Sequence, residues 1–384
     1  MLSDSGRQAL REAEALEPRA ETFLAVSQQL SGRWPERLAR VAVDQALLRQ
    51  RAEAKFPRAS EMLFLREALE QATSAQLAAH HAARLRDFAP RYDLGCGLGG
   101  DALALAALGP VVAVDRDPLR LLVLRANAGM LGLGDRVRPV CGDLTSPGWR
   151  LPGAAGVFAD PARRRQGRRI HDAARYDPPL EVLLRIARSV EGMGVKLSPG
   201  IDRRQVEGLG AEVEFVSEGG ELKECVLWFG APRSAGWRAT LFPSGATLVG
   251  PEAPQGAISP VRAILYEPDP AVLRAGLVRR LGELLGAEQV DPELSLLASD
   301  DVRPTALAHA YRVLDVLPFS EKSLRHELRR RGVGRVTLKK RGSAVDTEAL
   351  ARRLRLQGDG EATVLLTRLL GRPLAILMEA ARTT

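Results

Sequence analysis

The stretch Tyr92-Asp93-Leu94-Gly95-Cys96-Gly97-Leu98-Gly99-Gly100-Asp101 limits the possible folds more than any other part of the chain. An acid, an apolar residue and then glycines at alternate positions describe a tight turn leaving a strand. Glycine lets the backbone take positive φ, and lets a ligand approach with no Cβ in the way. The turn reads Asp-x-Gly-x-Gly-x-Gly. A dinucleotide-binding turn reads Gly-x-Gly-x-x-Gly, with a third glycine opening the helix, so the spacing argues against NAD.

The residues that follow repeat one pattern. Val111-Val112-Ala113-Val114-Asp115 is a short apolar, β-branched run ending in a carboxylate, placed to accept hydrogen bonds from ribose hydroxyls. Pro118 suits the first turn of a helix spanning 119–131. Further strands are predicted over 136–143, 156–161 and 194–199, ending near Asp143, Asp160 and Ser198. Polar residues at one edge of an open α/β sheet mark where such sheets bind ligands.

In order and spacing this region, roughly residues 86 to 230, resembles the class I S-adenosylmethionine (SAM) methyltransferases. Asp93, Gly95, Gly97 and Gly99 match their first motif, and Asp115 matches the ribose-binding acid. Asp143 with Leu144 matches the residues that bracket adenine. Asp160 and Pro161 match the fourth motif, which faces the methyl acceptor. The resemblance includes a closing antiparallel hairpin, 211–217 and 222–229. It implies a Rossmann-like α/β core, SAM as cofactor and a transferase activity.

Residues 1–88 read as a helical segment, with apolar residues at mixed three-and-four spacing and a further amphipathic stretch over 61–69. Thr73-Ser74-Ala75-Gln76 reads as a capping box with Thr73 at the cap, opening a helix over 75–85. The entry through 70–74 is similar to that of trimethylguanosine synthase-like RNA methyltransferases, where a Thr-containing turn packs over SAM; an ordinary capped helix is the alternative. Residues 89–235 form the core.

Residues 236–384 form a small α/β domain, with a hairpin over 237–248 and then alternating helices and strands. Tyr266-Glu267-Pro268-Asp269-Pro270-Ala271, Leu314-Asp315-Val316-Leu317-Pro318-Phe319 and Val336-Thr337-Leu338-Lys339-Lys340-Arg341-Gly342 resemble the THUMP-like domain that follows a methyltransferase core in a bacterial family. True THUMP domains bind tRNA, so the resemblance implies an RNA partner.

The 384 residues carry a formal charge of +8 and three cysteines without a Cys-x-x-Cys pair. The charge permits a polyanionic partner, and a basic proteome explains it as well. The cysteines suit a reducing cytoplasm, with no disulfide framework or zinc site. No metal is expected: His80, His81 and His309 lack partners at ligand spacing. The first residues lack an apolar signal region, and no apolar run approaches bilayer length.

Methyl transfer from a sulfonium needs a positioned nucleophile and removal of one proton. Asp160 is the candidate for contacting that nucleophile. Amine-directed enzymes carry Asp/Asn/Ser-Pro-Pro-aromatic; this chain has Asp160-Pro161-Ala162-Arg163, without the second proline and the ring. Tyr176-Asp177-Pro178-Pro179 mimics that motif in a segment without strand character, and reads as a loop entering a helix. Carbon-5 pyrimidine methylation needs a cysteine nucleophile, and none is expected beside 160 or 196–199. Arg163, Arg164, Arg165, Arg168 and Arg169 follow Asp160 closely and suit phosphate, with Arg163, Arg164 and Arg168 as candidate RNA-binding residues. Pairing with Asp172 and Asp177 is the alternative. A second basic run spans 325–341. The favoured function is SAM-dependent methylation of structured RNA (tRNA or rRNA); the alternatives are a protein or small-molecule acceptor, and a SAM- and RNA-binding protein without transfer.

Overall fold

The computed structural model describes residues 1–146, 148–162, 164–165, 168–169, 172–251, 253–254 and 256–381, with backbone alone for 164, 165, 168 and 169. The chain divides into two compact units: Met1–Glu212 with Cys225–Ser234, and Val213–Glu224 with Ala235–Thr384.

The first unit opens with α1 (Asp4–Ala15), α2 (Phe23–Ser31) and α3 (Glu36–Ala52). Ala9, Ala13, Ala39, Val43 and Ala46 are buried, and their small side chains let these helices pack closely. The amphipathic stretch over 61–69 is helical only at its end, in α4 (Arg66–Gln71). Two side-chain amides hold the residues before it extended. Gln45 bonds both main-chain groups of Phe64, at 2.7 and 3.0 Å. Asn127 does the same for Leu63, at 2.7 and 3.0 Å. These bonds satisfy the backbone groups that a helix would otherwise use. Lys55 Nζ then caps the α4 end by donating to the carbonyls of Leu69, Glu70 and Ala72. That cap delivers the chain to Thr73 and α5 (Ala75–Arg84).

The core alternates β1 (Arg91–Leu94), α6 (Gly100–Leu108), β2 (Val111–Asp115), α7 (Pro118–Met130), β3 (Val137–Cys141) and β4 (Gly156–Ala159). The two-residue strands β5 (Arg164–Arg165) and β6 (Arg168–Arg169) form a minimal hairpin. Then come α8 (Leu180–Ala187) and β7 (Gly192–Leu197). β1 lies between β2 and β4, β3 joins β2, and β7 joins β4, all parallel. After β8 (Glu212–Glu218), the end of β9 (Glu221–Gly230) runs antiparallel to β7, from Leu197 opposite Cys225 to Gly192 opposite Gly230. β2, β4 and β7 are almost wholly buried, as expected for strands of a parallel sheet covered on both faces, while β3 at its edge is partly exposed.

In the second unit β10 (Trp237–Phe242) runs parallel to β8 and antiparallel to β11 (Ala246–Gly250). It continues through β12 (Ile264–Pro268), α9 (Pro270–Ala275), α10 (Val278–Leu285), β13 (Glu288–Gln289), β14 (Leu297–Ser299), β15 (Ala308–Pro318), α11 (Glu321–Arg330), β16 (Val333–Arg341), α12 (Thr347–Leu354), β17 (Gly360–Leu369) and β18 (Arg372–Ala380). A seven-stranded sheet has the order β13-β14-β12-β15-β18-β17-β16. Leu324, Leu328, Leu350 and Leu354 pack one apolar cluster with Val364 and Leu377; Leu265, Ile376 and Met378 belong to another. The architecture is the expected one: an α/β core with a helical N-terminal segment and a smaller C-terminal α/β domain.

Candidate active site

The glycine turn is built as its spacing requires. Gly95, Gly97 and Gly99 have φ of +82°, +54° and +87°, in the left-handed region. A Cβ on Gly95 would stand 2.8 Å from the Asp160 carbonyl oxygen, and one on Gly99 would stand 2.1 Å from Leu124 Cδ1. A Cβ on Gly97 would meet nothing within 4 Å, so this face of the turn is open to a ligand. The amides of Gly95 and Cys96 donate to the Val114 carbonyl at 2.8 and 3.0 Å, tying the turn to β2.

Asp115 braces the same turn. Its Oδ2 accepts from the Gly97 amide and its Oδ1 from the Asp117 amide, each at 2.9 Å. The Gly142 amide donates to the Asp115 carbonyl at 3.0 Å, bringing the end of β3 alongside. Asp143 is exposed; its carboxylate accepts from the Thr145 hydroxyl and amide at 2.7 and 2.8 Å, which holds it below the usual range. Leu144 beside it is buried. The Asp160 amide donates to the Leu94 carbonyl at 3.1 Å, so the β4 end abuts the β1 end, and Pro161 follows, buried. Asp93, the turn, Asp115, Asp143, Leu144, Asp160 and Pro161 therefore lie at one edge of the parallel strands.

A buried polar chain joins this edge to α5. Lys196, 4% exposed at the end of β7, donates to Asp160 Oδ2 and to Thr73 Oγ1, each at 2.8 Å. Thr73 Oγ1 donates to Asp101 Oδ2 at 2.8 Å, and His81 Nδ1 donates to Asp101 Oδ1 at 2.7 Å. The His81 ring stacks on Phe158 at 4.3 Å. Burial works against the Asp101 charge, yet His81, Lys196 and Thr73 outweigh it and hold the carboxyl below its usual range. Asp93 is the opposite case. Burial, then the charges of Asp101 and Asp160, push its carboxyl well up, and its Oδ2 has no hydrogen-bond partner among the described residues.

Several expectations change here. The helix-capping side chain is Ser74, which accepts from the Leu77 amide; Thr73 faces inward to Asp101. The Tyr176-Asp177-Pro178-Pro179 segment lies beside the fourth motif. Ala162 and Asp177 exchange both backbone bonds, at 2.8 and 3.1 Å. The Tyr176 hydroxyl accepts from the Ser198 amide, and Arg116 pairs with Asp177. A cysteine does adjoin 196–199, since Cys225 is the cross-strand neighbour of Leu197, but it is fully buried. Arg163 lies outside the described residues, as do the side chains of Arg164 and Arg168. Lys196, Asp101 and His81 had not been singled out for this role. A lone lysine in the otherwise apolar β7, and a lone acid opening the apolar α6, were the available signals.

Known proteins match this chain along most of its length. Two uncharacterized S-adenosylmethionine-dependent methyltransferases of Mycobacterium tuberculosis, from strains CDC 1551 and H37Rv, are each 36% identical over 344 residues. Each match covers 85% of this chain and 92% of the relative. The chain belongs to the S-adenosylmethionine-dependent methyltransferases. A crystal structure from Porphyromonas gingivalis W83, assigned as a methyltransferase, shares the fold of this methyltransferase with a TM-score of 0.74 at 20% identity. It covers 95% of this chain and is itself covered completely. Residues 308–380 match the THUMP domain-like family, and residues 1–52 match a domain of unknown function, DUF8688. Among the described residues, no cluster of ligating side chains could hold a metal, and no helix is long and apolar enough to cross a membrane.

Proposed function

We propose that this methyltransferase modifies structured RNA, with Asp160 as the group that contacts the acceptor. The carrying observation is the THUMP domain-like match at 308–380 in the same chain as the catalytic core. The five arginines of 163–169, directly after Asp160, add a basic stretch next to the acceptor position.

The cofactor assignment is residue by residue. The turn of Gly95, Gly97 and Gly99, with Asp93, Asp115, Asp143 and Leu144, holds SAM, and Thr73, just before α5, braces Asp101 behind the turn. A buried, unpartnered Asp93 Oδ2 and an open Gly97 face suit a cationic ligand lying close to the backbone. When bound, SAM supplies a methyl group activated by a sulfonium. The protein's part is to place the nucleophile and take its proton. Asp160 accepts a hydrogen bond from the acceptor's N–H or O–H and receives the proton that leaves. Lys196 holds that carboxylate in place and aims it, and Pro161 shapes the turn behind it.

A second reading has one observation in its favour. Much of the 325–341 basic run is paired within its own unit: Arg330 and Arg331 with Glu327, and Lys339 and Arg341 with Glu267. A domain so neutralised fits a protein or small-molecule acceptor, with the THUMP-like module as a scaffold.

Mass spectrometry of tRNA and rRNA nucleosides from a deletion strain and its parent separates the two readings. The RNA reading expects one methylated nucleoside to vanish and to return with the wild-type gene. An unchanged nucleoside profile, with labelled methyl passing to protein or small molecules in lysate, rejects it. An Arg163, Arg164 and Arg168 triple alanine variant is expected to bind RNA with a shallower salt dependence. The log–log slope should drop by about 0.7–0.9 for each phosphate that is no longer neutralised.

A further inference from the structure

A cleft of about 590 Å³ lies in the first unit between α1, α3, the extended residues before α4, and α7. Its floor is aliphatic, with Leu10, Leu63, Leu122, Ala126 and Met130. Leu122, Ala126 and Met130 recur every four residues, so they form one face of α7. Leu122 and Met130 are 50% and 37% exposed, so this apolar face is open to solvent at the cleft.

Four arginines also reach the cleft. Two are committed: Arg7 to Asp4 and the Leu2 carbonyl, and Arg49 to Glu14 and the Met62 carbonyl. Arg11 and Arg125, both exposed, make no hydrogen bond or ion pair with the described residues. Among those residues, no carboxylate, hydroxyl or aromatic ring lines the cleft. Two guanidiniums with no acid between them, set over an aliphatic floor, are complementary to a ligand with an anionic head and a saturated tail.

We propose that this cleft binds a single-chain carboxylate amphiphile. The acyl chain lies along Leu122, Ala126 and Met130, and the carboxylate bridges Arg11 and Arg125. A planar carboxylate accepts two bonds from each guanidinium fork. The absence of rings removes the stacking surface on which a nucleobase would be held. The volume falls in the range that encloses one small ligand, too little for a two-chain phospholipid. The site is formed partly by the helices of residues 1–52, and it stands independently of what the methyl acceptor is.

Calorimetric titration of the full-length protein with dodecanoate, below its micelle concentration, tests this. One equivalent is expected to bind, and dodecanol is expected to bind at least about tenfold more weakly, for want of charge-assisted hydrogen bonds. Replacing both Arg11 and Arg125 by alanine is expected to weaken dodecanoate about a hundredfold and leave SAM affinity unchanged. Ala126→Trp fills the floor and is expected to block binding with the arginines intact. Equal affinity for dodecanoate and dodecanol, or an undiminished affinity in the double variant, overturns the proposal. So does tighter binding of a diacyl phosphatidate than of dodecanoate. Absence of dodecanoate binding, with RNA retention abolished in the double variant, overturns it as well and gives the arginines to RNA.

Discussion

Charge is organised by opposite rules in two regions of this molecule. In the second unit, three acids nearer the surface each take two bases. Glu327 takes Arg330 and Arg331, Glu321 takes Arg325 and Arg353, and Glu267 takes Lys339 and Arg341. Hydrogen bonds from Arg330 and Arg331 bring the Glu327 carboxyl down to about 2. At the strand ends of the first unit, Asp101, Asp160 and Asp115 crowd Asp93, while Lys196 pairs with Asp160 and His81 with Asp101, largely out of water. There Asp101 is held ionised by its partners while Asp93 is pushed toward its neutral form. Burying acids without full compensation is costly. A surface pair is satisfied by its neighbour; the buried cluster retains an oxygen that a cationic ligand can satisfy.

The strongest way to break this contrast is at Asp160. Asp160→Asn keeps the size and the hydrogen bond with Lys196 but removes the proton acceptor. Transfer is expected to fall about 10²–10⁴-fold while SAM affinity stays near wild type, measured by label transfer and calorimetry. Transfer at the wild-type rate would move the acceptor-binding role to the adjoining Tyr176–Pro179 segment. Lys196→Met comes next. Removing one partner of a buried ion pair strands Asp160, and about 3–5 kcal/mol of stability is expected to go in urea unfolding. Arg331→Ala, in a more exposed pair, is expected to cost no more than about 1 kcal/mol. Similar losses from the two changes would erase the distinction between the regions.

The parts that could be read from the sequence are those set by local rules. A glycine turn needs positive φ at set positions, so Gly95, Gly97 and Gly99 announce it. The acids at the ends of β2, β3 and β4 follow from strand patterning. What was not legible depends on residues distant in the chain. Lys196 meets Thr73 across 123 positions, and Asn127 holds Leu63 across 64. The helix predicted over 61–69 forms only from Arg66 onward, because amides from α3 and α7 took the backbone groups of Leu63 and Phe64. Ser74 displaced Thr73 as the cap because Thr73 is claimed by Asp101. The helical stretch 270–285 divides into α9 and α10 at Gly276, whose φ of +72° caps the first.

A smaller effect sharpens the cofactor half of the contrast. Asp115 already accepts two backbone amides, so the ribose hydroxyls would bond to its remaining lone pairs. Asp115→Ala is expected to cost SAM about 1.5–3 kcal/mol, or roughly ten- to a hundredfold in affinity by calorimetry. Part of that loss comes from slackening the Gly97 turn. Asp115→Asn retains an acceptor and is expected to fall between wild type and alanine. Unchanged affinity in the alanine variant would remove Asp115 from the binding set.

The smallest expected effect is a difference in sign with pH. Asp93 has its folded pKa raised, first by burial and then by Asp101 and Asp160. As pH rises above 3.8, the unfolded chain gives up this proton while the folded protein keeps it. The folded state then binds more protons, so stability falls with rising pH across that window. Glu327 runs the other way. Its folded pKa of about 2 lies below the ordinary 4.5, so its contribution is present above pH 4.5 and is lost as pH falls toward 2. Solvent screening keeps that contribution small. Urea midpoints taken in pH steps for wild type, Asp93→Asn and Glu327→Gln separate the two. Relative to Asp93→Asn, wild type is expected to lose stability as pH rises above about 4; relative to Glu327→Gln, it is expected to gain between about 2 and 4.5. Differences of the same sign would mean that the buried acids are solvated like the surface ones, and the contrast between the two regions would fail.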